Sequence, residues 1–152
     1  MKVIIDTNLW ISFLIGHQTQ LVRRMLTDLR FDVYVCSRLI EEIRDVASLD
    51  KICKHLVPTD LDDLMAIINA FCKVATIEAE VALSAVRNPK DLYLLALADT
   101  IGANYIVSGD ADLTYLGQHN QTRIIKIADF KAIMRNHQDR VSPSRPDLCG
   151  FK

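Results

Sequence analysis

The sequence predicts a single α/β domain, a mostly parallel β-sheet with helices packed on both faces. Three observations carry that expectation. Short apolar runs rich in valine and isoleucine, such as "KVIID", "FDVYVC" and "TRIIKI", alternate with longer stretches whose apolar residues recur at helical spacing. Those runs are nearly continuous, as strands buried on both faces require. The chain of 152 residues, 50% of them hydrophobic and 24% charged, suits one core and leaves little room for a second.

Taken in order, residues 2–6 read as a buried strand and Leu9 to Ile15 as a short helix stopped by Gly16. Leu21, Val22, Met25, Leu26 and Leu29 have helical spacing across residues 19–30. Residues 31–36 form a second strand, with β-branched and aromatic side chains. Ser37 is placed to cap a helix over 37–49, whose apolar face is Leu39, Ile40, Ile43 and Val46. Pro58-Thr59-Asp60 breaks the chain and opens a helix over 60–72, with acids in the first turn where the helix dipole favours them. Residues 73–79 have room for a short strand. "NPKD" (88–91) is a turn before the strongly apolar helix 92–103. Strands follow at 104–110 and 122–127, then a last helix over 128–137. From Gln138 onward the chain is polar and carries Pro143 and Pro146. The expected organisation is therefore one domain over 1–137 and a mobile tail over 138–152.

Composition narrows the function classes. No apolar run reaches the ~18 residues of a membrane span, and the N-terminal pattern is not that of a signal peptide, so a cytoplasmic protein is expected. Cys36, Cys53, Cys72 and Cys149 form no CxxC or Cys/His pair of zinc-ligand spacing. Cys36 and Cys72 fit small buried apolar positions, and free thiols are expected. His17, His55, His119 and His137 are scattered. With 18 basic and 19 acidic residues the net charge is −1, so binding to nucleic acid would need a local basic patch. Arg23, Arg24, Arg30, Arg38, Lys51 and Lys54 could supply one, although a solvated helix surface is the commoner explanation.

Chemistry is suggested by four acids in similar places. Asp6 ends the first strand, Asp110 follows "YIVSG", Asp91 follows the turn "NPK", and Glu42 lies in the helix after the second strand. Each has an ordinary explanation. Asp6, Thr7 and Asn8 are common N-cap residues, Asp91 fits a helix cap, Asp110 a turn, and Glu42, beside Glu41, a solvated helix face. Their joint placement is what argues for a site. In a right-handed doubly wound sheet the carboxyl ends of the strands share one rim, and there the four acids can form one cluster. Clustered carboxylates repel unless a cation neutralises them, and all-oxygen ligands suit Mg²⁺ or Mn²⁺, ions that serve phosphoryl chemistry. No P-loop, GxGxxG or nucleophilic serine motif competes.

The stretches "VIIDTNLWISFLI", "CSRLIEEIRDVASL", "NPKDLYLLALADTIGANYIVSGDADL" and "RIIKIADF" resemble, in this order and spacing, the PIN-domain family. More narrowly they are similar to small prokaryotic PIN proteins described as toxins of toxin–antitoxin systems. The resemblance covers about residues 1–135, and its most specific piece is "GANYIVSGDADLTYL". It implies a Mg²⁺- or Mn²⁺-dependent endoribonuclease in which Asp6, Glu42, Asp91 and Asp110 are catalytic and metal-binding. Glu41 is the alternative to Glu42, and Asp112 is an additional candidate ligand. Thr7, Asn8 and Ser108 are the implied supporting polar residues. An RNA substrate, an antitoxin protein and a homodimer are the implied partners. The chain departs from the family pattern before Asp91, where Asn88 and Lys90 stand in place of acids and Leu92 in place of a polar residue. The departure implies lower metal affinity; Lys90 could contact phosphate or simply be an exposed lysine at a helix start.

Two other readings compete. One is a PIN-fold module that binds RNA or protein without cleaving, which need not bind metal. The other is a haloacid-dehalogenase-type phosphatase, which wants an acid two residues after the first, where this chain has Asn8.

Overall fold

Val3, Ile4 and Ile5 are all buried, although consecutive side chains of a strand point to opposite faces. Both faces of that strand must therefore be covered, and the rest of the architecture follows from this. The structure, a computed structural model, describes residues 1–16, 19–82 and 88–141. His17, the His137 side chain, Cys149 and the expected tail from residue 142 onward lie outside the described residues.

The first strand is β1 (Lys2–Ile5), followed by helices α1 (Thr7–Ile15) and α2 (Thr19–Thr27). Next come β2 (Asp32–Val35), α3 (Ser37–Ala47), α4 (Asp50–Cys53), α5 (Asp60–Phe71) and β3 (Lys73–Val74). A single 3-10 turn (Pro89–Asp91) leads into α6 (Leu92–Ile101), then β4 (Tyr105–Val107), α7 (Ala111–Thr114), β5 (Gln118–His119), β6 (Thr122–Ile125) and α8 (Ile127–Val141). The six strands form one sheet in the order β3-β2-β1-β4-β6-β5. Every pairing is parallel except β5 with β6. The α/β fold read from the sequence is the one observed.

The strands β1 and β4 lie at the centre, and Ile106 and Val107 are as buried as the residues of β1. On one face of the sheet Phe130 of α8, fully buried, stacks edge-on against Phe31 and Tyr105 at 5.2 and 6.4 Å. Gly102 ends α6 with φ +66°, a left-handed conformation that favours glycine and turns the chain into β4. Both edge strands, β3 and β5, are two residues long, which limits edge-to-edge pairing.

Several boundaries differ from expectation, each for a physical reason. The helix after β1 starts at Thr7, not Leu9, because Asp6 itself occupies the cap position. Ser37 is the first helical residue of α3 and Cys36 takes the cap. The strand expected over 104–110 stops at Val107, because Ser108 and Gly109 turn toward α7. The last helix runs to Val141, four residues past its expected end. The short elements α4, α7 and β5 were not expected. Among the described residues, Cys36, Cys53 and Cys72 are free, with Cys36 buried and Cys72 half-buried. Burial pushes the Cys72 thiol up to about 12 and raises that of Cys36. No helix among the described residues is long and apolar enough to cross a membrane.

Candidate active site

The sheet places its functional rim by topology. From β1 the chain steps outward through β2 to β3, then returns to pair β4 on the other side of β1. The direction of winding reverses between β1 and β4, and a crevice opens outside the carboxyl ends of strands at such a point. Asp6 and Ser108 are the residues that leave those two strands. Ile5 is in register with Val107, and the ladder continues one step further, the Asp6 amide donating to the Val107 carbonyl at 2.9 Å. The side chains then meet: Ser108 Oγ donates to Asp6 Oδ2 at 2.7 Å. Both residues are buried, Ser108 completely.

Asp110 is tied to the same hydroxyl. Its amide donates to Ser108 Oγ at 3.0 Å, and its own Oδ1 accepts the Asp112 amide at 2.9 Å as the cap of α7. Glu42 arrives from α3, which starts where β2, the neighbour of β1, ends at the same rim. Thr7 Oγ1 donates to Glu42 Oε2 at 2.7 Å, and the Tyr93 hydroxyl donates to the same oxygen. Asp91 closes the group from the 3-10 turn at the head of α6. That turn is shaped by Pro89 and by Asn88, whose side chain accepts the Lys90 amide at 3.1 Å.

Electrostatics show that the acids share one neighbourhood. Burial raises the Asp91 carboxyl to about 6, and repulsion from Asp6, Asp110, Glu42 and Asp112 adds to it. Burial also raises Asp6, with smaller contributions from Glu42 and Asp110, against the lowering effect of the Ser108 hydrogen bond. The Tyr93 phenol is pushed far above its ordinary range, first by burial and then by the Glu42 carboxylate it donates to. It therefore remains a donor at any ordinary pH.

Of the expected site residues, Asp6, Glu42, Asp91 and Asp110 come together, with Asp112 beside them and Thr7 and Ser108 bonded to carboxylates. Of the two candidate glutamates, Glu42 is the one bonded to Thr7 and Tyr93 beside the other acids, and Glu41 is exposed. Asn8 is a correction. It is exposed, no side-chain hydrogen bond engages it among the described residues, its backbone carbonyl accepts from Ser12 Oγ at 2.8 Å, and the orienting bond to Asp6 comes from Ser108. Tyr93 was not anticipated. Its signal in the sequence is slight, one hydroxyl in the apolar run "LYLLALA" two residues after Asp91.

Most of the six basic residues fit the ordinary reading, a solvated helix surface. Helix α3 has 11 residues, so it carries the chain about 16 Å away from the rim, and Lys51 and Lys54 follow its far end. Arg30 is engaged by Asp28 and by the Met134 carbonyl, and Arg23 lines a separate cavity with Phe13, Asp60 and Leu64. Arg38 alone of the six reaches the site, its guanidinium 5.7 Å from the centre of the Tyr93 ring. With Lys90 and Tyr93 it lines an open groove next to the acids, which also bears Glu80. Of the described histidines, His55 is exposed and His119 pairs with Asp99 at 2.9 Å.

Two observations bear on a metal. Among the described residues, no group of three or more His, Cys, Asp or Glu side chains forms a ready metal cage; the carboxylates of Asp6, Glu42 and Asp110 are held by neighbouring hydroxyls and an amide. The donor set is nevertheless all oxygen, and Asp91 Oδ2 is buried without a hydrogen-bond partner among the described residues. An acceptor-only atom facing like charges is what a hard cation would satisfy, so the residues fit Mg²⁺ or Mn²⁺ in chemistry. In comparisons with known proteins, the sequence model described as "PIN domain" matches residues 2–112. No curated protein matches the sequence.

Proposed function

The chain belongs to the PIN-domain family, and from that premise we propose that it is a divalent-metal-dependent endoribonuclease, the toxin of a cytoplasmic toxin–antitoxin pair. PIN domains are generally nucleases and typically use divalent metal ions. The observation that carries the reading is Asp91: a buried carboxyl at about 6, repelled by Asp6, Asp110, Glu42 and Asp112, with one oxygen unpartnered among the described residues. Asp6, Glu42, Asp91 and Asp110 would hold the ion, with Asp112 as a fifth candidate. When bound, such an ion acidifies water and screens the charge that develops on phosphate.

The protein's own part is to hold and orient. Ser108 fixes Asp6, and its oxygen also receives the Asp110 amide, so one hydroxyl sets the spacing of two acids. Arg38 and Lys90 give the adjoining groove positive charge for the RNA backbone. The antitoxin and a homodimer rest on the likeness of the motifs to small PIN toxins. The test is cleavage of a structured RNA with Mg²⁺ or Mn²⁺. Products are expected with either ion, none with EDTA, and a loss of at least a hundredfold in Asp6→Asn. Retained cleavage in Asp6→Asn would remove the acids from catalysis; RNA retained on a filter without metal-dependent products would favour the binding module.

A further inference from the structure

Two hydroxyls from different elements land on one carboxylate oxygen. Thr7, at the start of α1, and Tyr93, at the start of α6, both donate to Glu42 Oε2, and their own oxygens are 3.5 Å apart. Among the described residues Glu42 Oε1 accepts no hydrogen bond. A carboxylate held by one donor still swings about that bond. A second donor on the same oxygen removes that freedom and settles which oxygen remains for other partners. The Tyr93 ring is itself restrained, with the Arg38 guanidinium over its face.

We propose that Tyr93 is a positioning residue: its hydroxyl, together with that of Thr7, fixes the Glu42 carboxylate and leaves Oε1 as the oxygen available to a divalent cation. The proposal rests on the reading of Glu42 as a metal ligand. It explains why a half-buried tyrosine stands in an otherwise apolar run. Partners that orient ligands typically change metal affinity by tenfold or more when removed.

The experiment is calorimetric titration of the full chain with Mn²⁺ alone, without RNA, alongside metal-free thermal unfolding. Tyr93→Phe, which removes one oxygen, is expected to weaken Mn²⁺ binding about tenfold. A lower metal-free melting temperature with unchanged Mn²⁺ affinity means that Tyr93 is only a strut between helices, and overturns the proposal. If Tyr93→Phe loses its cooperative unfolding, Thr7→Val examines the same clamp: weaker Mn²⁺ binding supports it and unchanged binding overturns it. Asp6→Asn separates the two levels of the argument. Mn²⁺ binding that Asp6→Asn abolishes but Tyr93→Phe leaves intact sinks this inference alone. No Mn²⁺ binding by the wild type sinks both this inference and the functional reading.

Discussion

Asp91 is a carboxyl that the fold keeps at a disadvantage. Its pKa is about 6 in the native state against 3.8 for the free group, so between those values the native state binds more protons than the unfolded chain. The contribution of Asp91 to stability without metal is therefore fully present below about pH 4 and is lost as pH rises through 6; Asp6, also raised, acts in the same direction. Urea unfolding in EDTA at pH 4.5 and 7.5 checks this. Asp91→Asn should flatten the pH trend by on the order of 2 kcal/mol, and an unchanged slope would assign the trend to other groups. At this scale Asp6 and Asp110 were legible, because each follows a strand and strand ends are visible as apolar runs. Tyr93 was not, since its partner Glu42 is 51 positions away and nothing local marks the bond. The misreading of Asn8 has a geometric cause: a helix turns about 100° per residue, so the neighbour of inward-facing Thr7 faces solvent.

Among the elements, α3 decides which cations matter. It begins at the rim and leads away from it, so Arg38 in its first turn borders the groove and Lys51 and Lys54 do not. Arg38→Ala should weaken RNA binding several-fold and lower its salt dependence, whereas Lys51→Ala and Lys54→Ala should leave both unchanged. Filter binding at two salt concentrations discriminates; equal losses for all three would place the RNA elsewhere. The apolar face of α3 was plain in the sequence, but its direction relative to the site is a property of the sheet. The short elements were hidden for a simpler reason. Helices α4 and α7 have four residues each and β5 two, too few to complete a hydrophobic period. The hairpin that adds β5 turns at Asn120, whose φ of 50° is a conformation asparagine tolerates better than most residues.

The whole molecule joins an acidic rim to a well-packed centre, and a cation bound only by the native state should show in its melting. At a hundredfold excess over its dissociation constant, Mn²⁺ would add about 2.7 kcal/mol, or about 5–10 °C in Tm for a domain of this size. Asp6→Asn should remove most of that gain, and an equal rise in both proteins would count against a shared site. Alternating strands and helices were enough to read the α/β class. Strand order was not readable, because pairing β1 between β2 and β4 depends on contacts across the whole chain. That order also has a consequence for the protein's own synthesis. The strand that leads into Asp6 precedes the other five in the chain and lies at the middle of the sheet, whereas Ser108 and Asp110 come 102 and 104 positions later (108 − 6 and 110 − 6), just past a strand flanked on its outer side by residues 122–125. A nascent chain therefore carries Asp6 through 102 further positions before Ser108, which orients it, is added. If the assembled rim cuts RNA, the messenger being translated is spared by chain order until the domain is nearly complete.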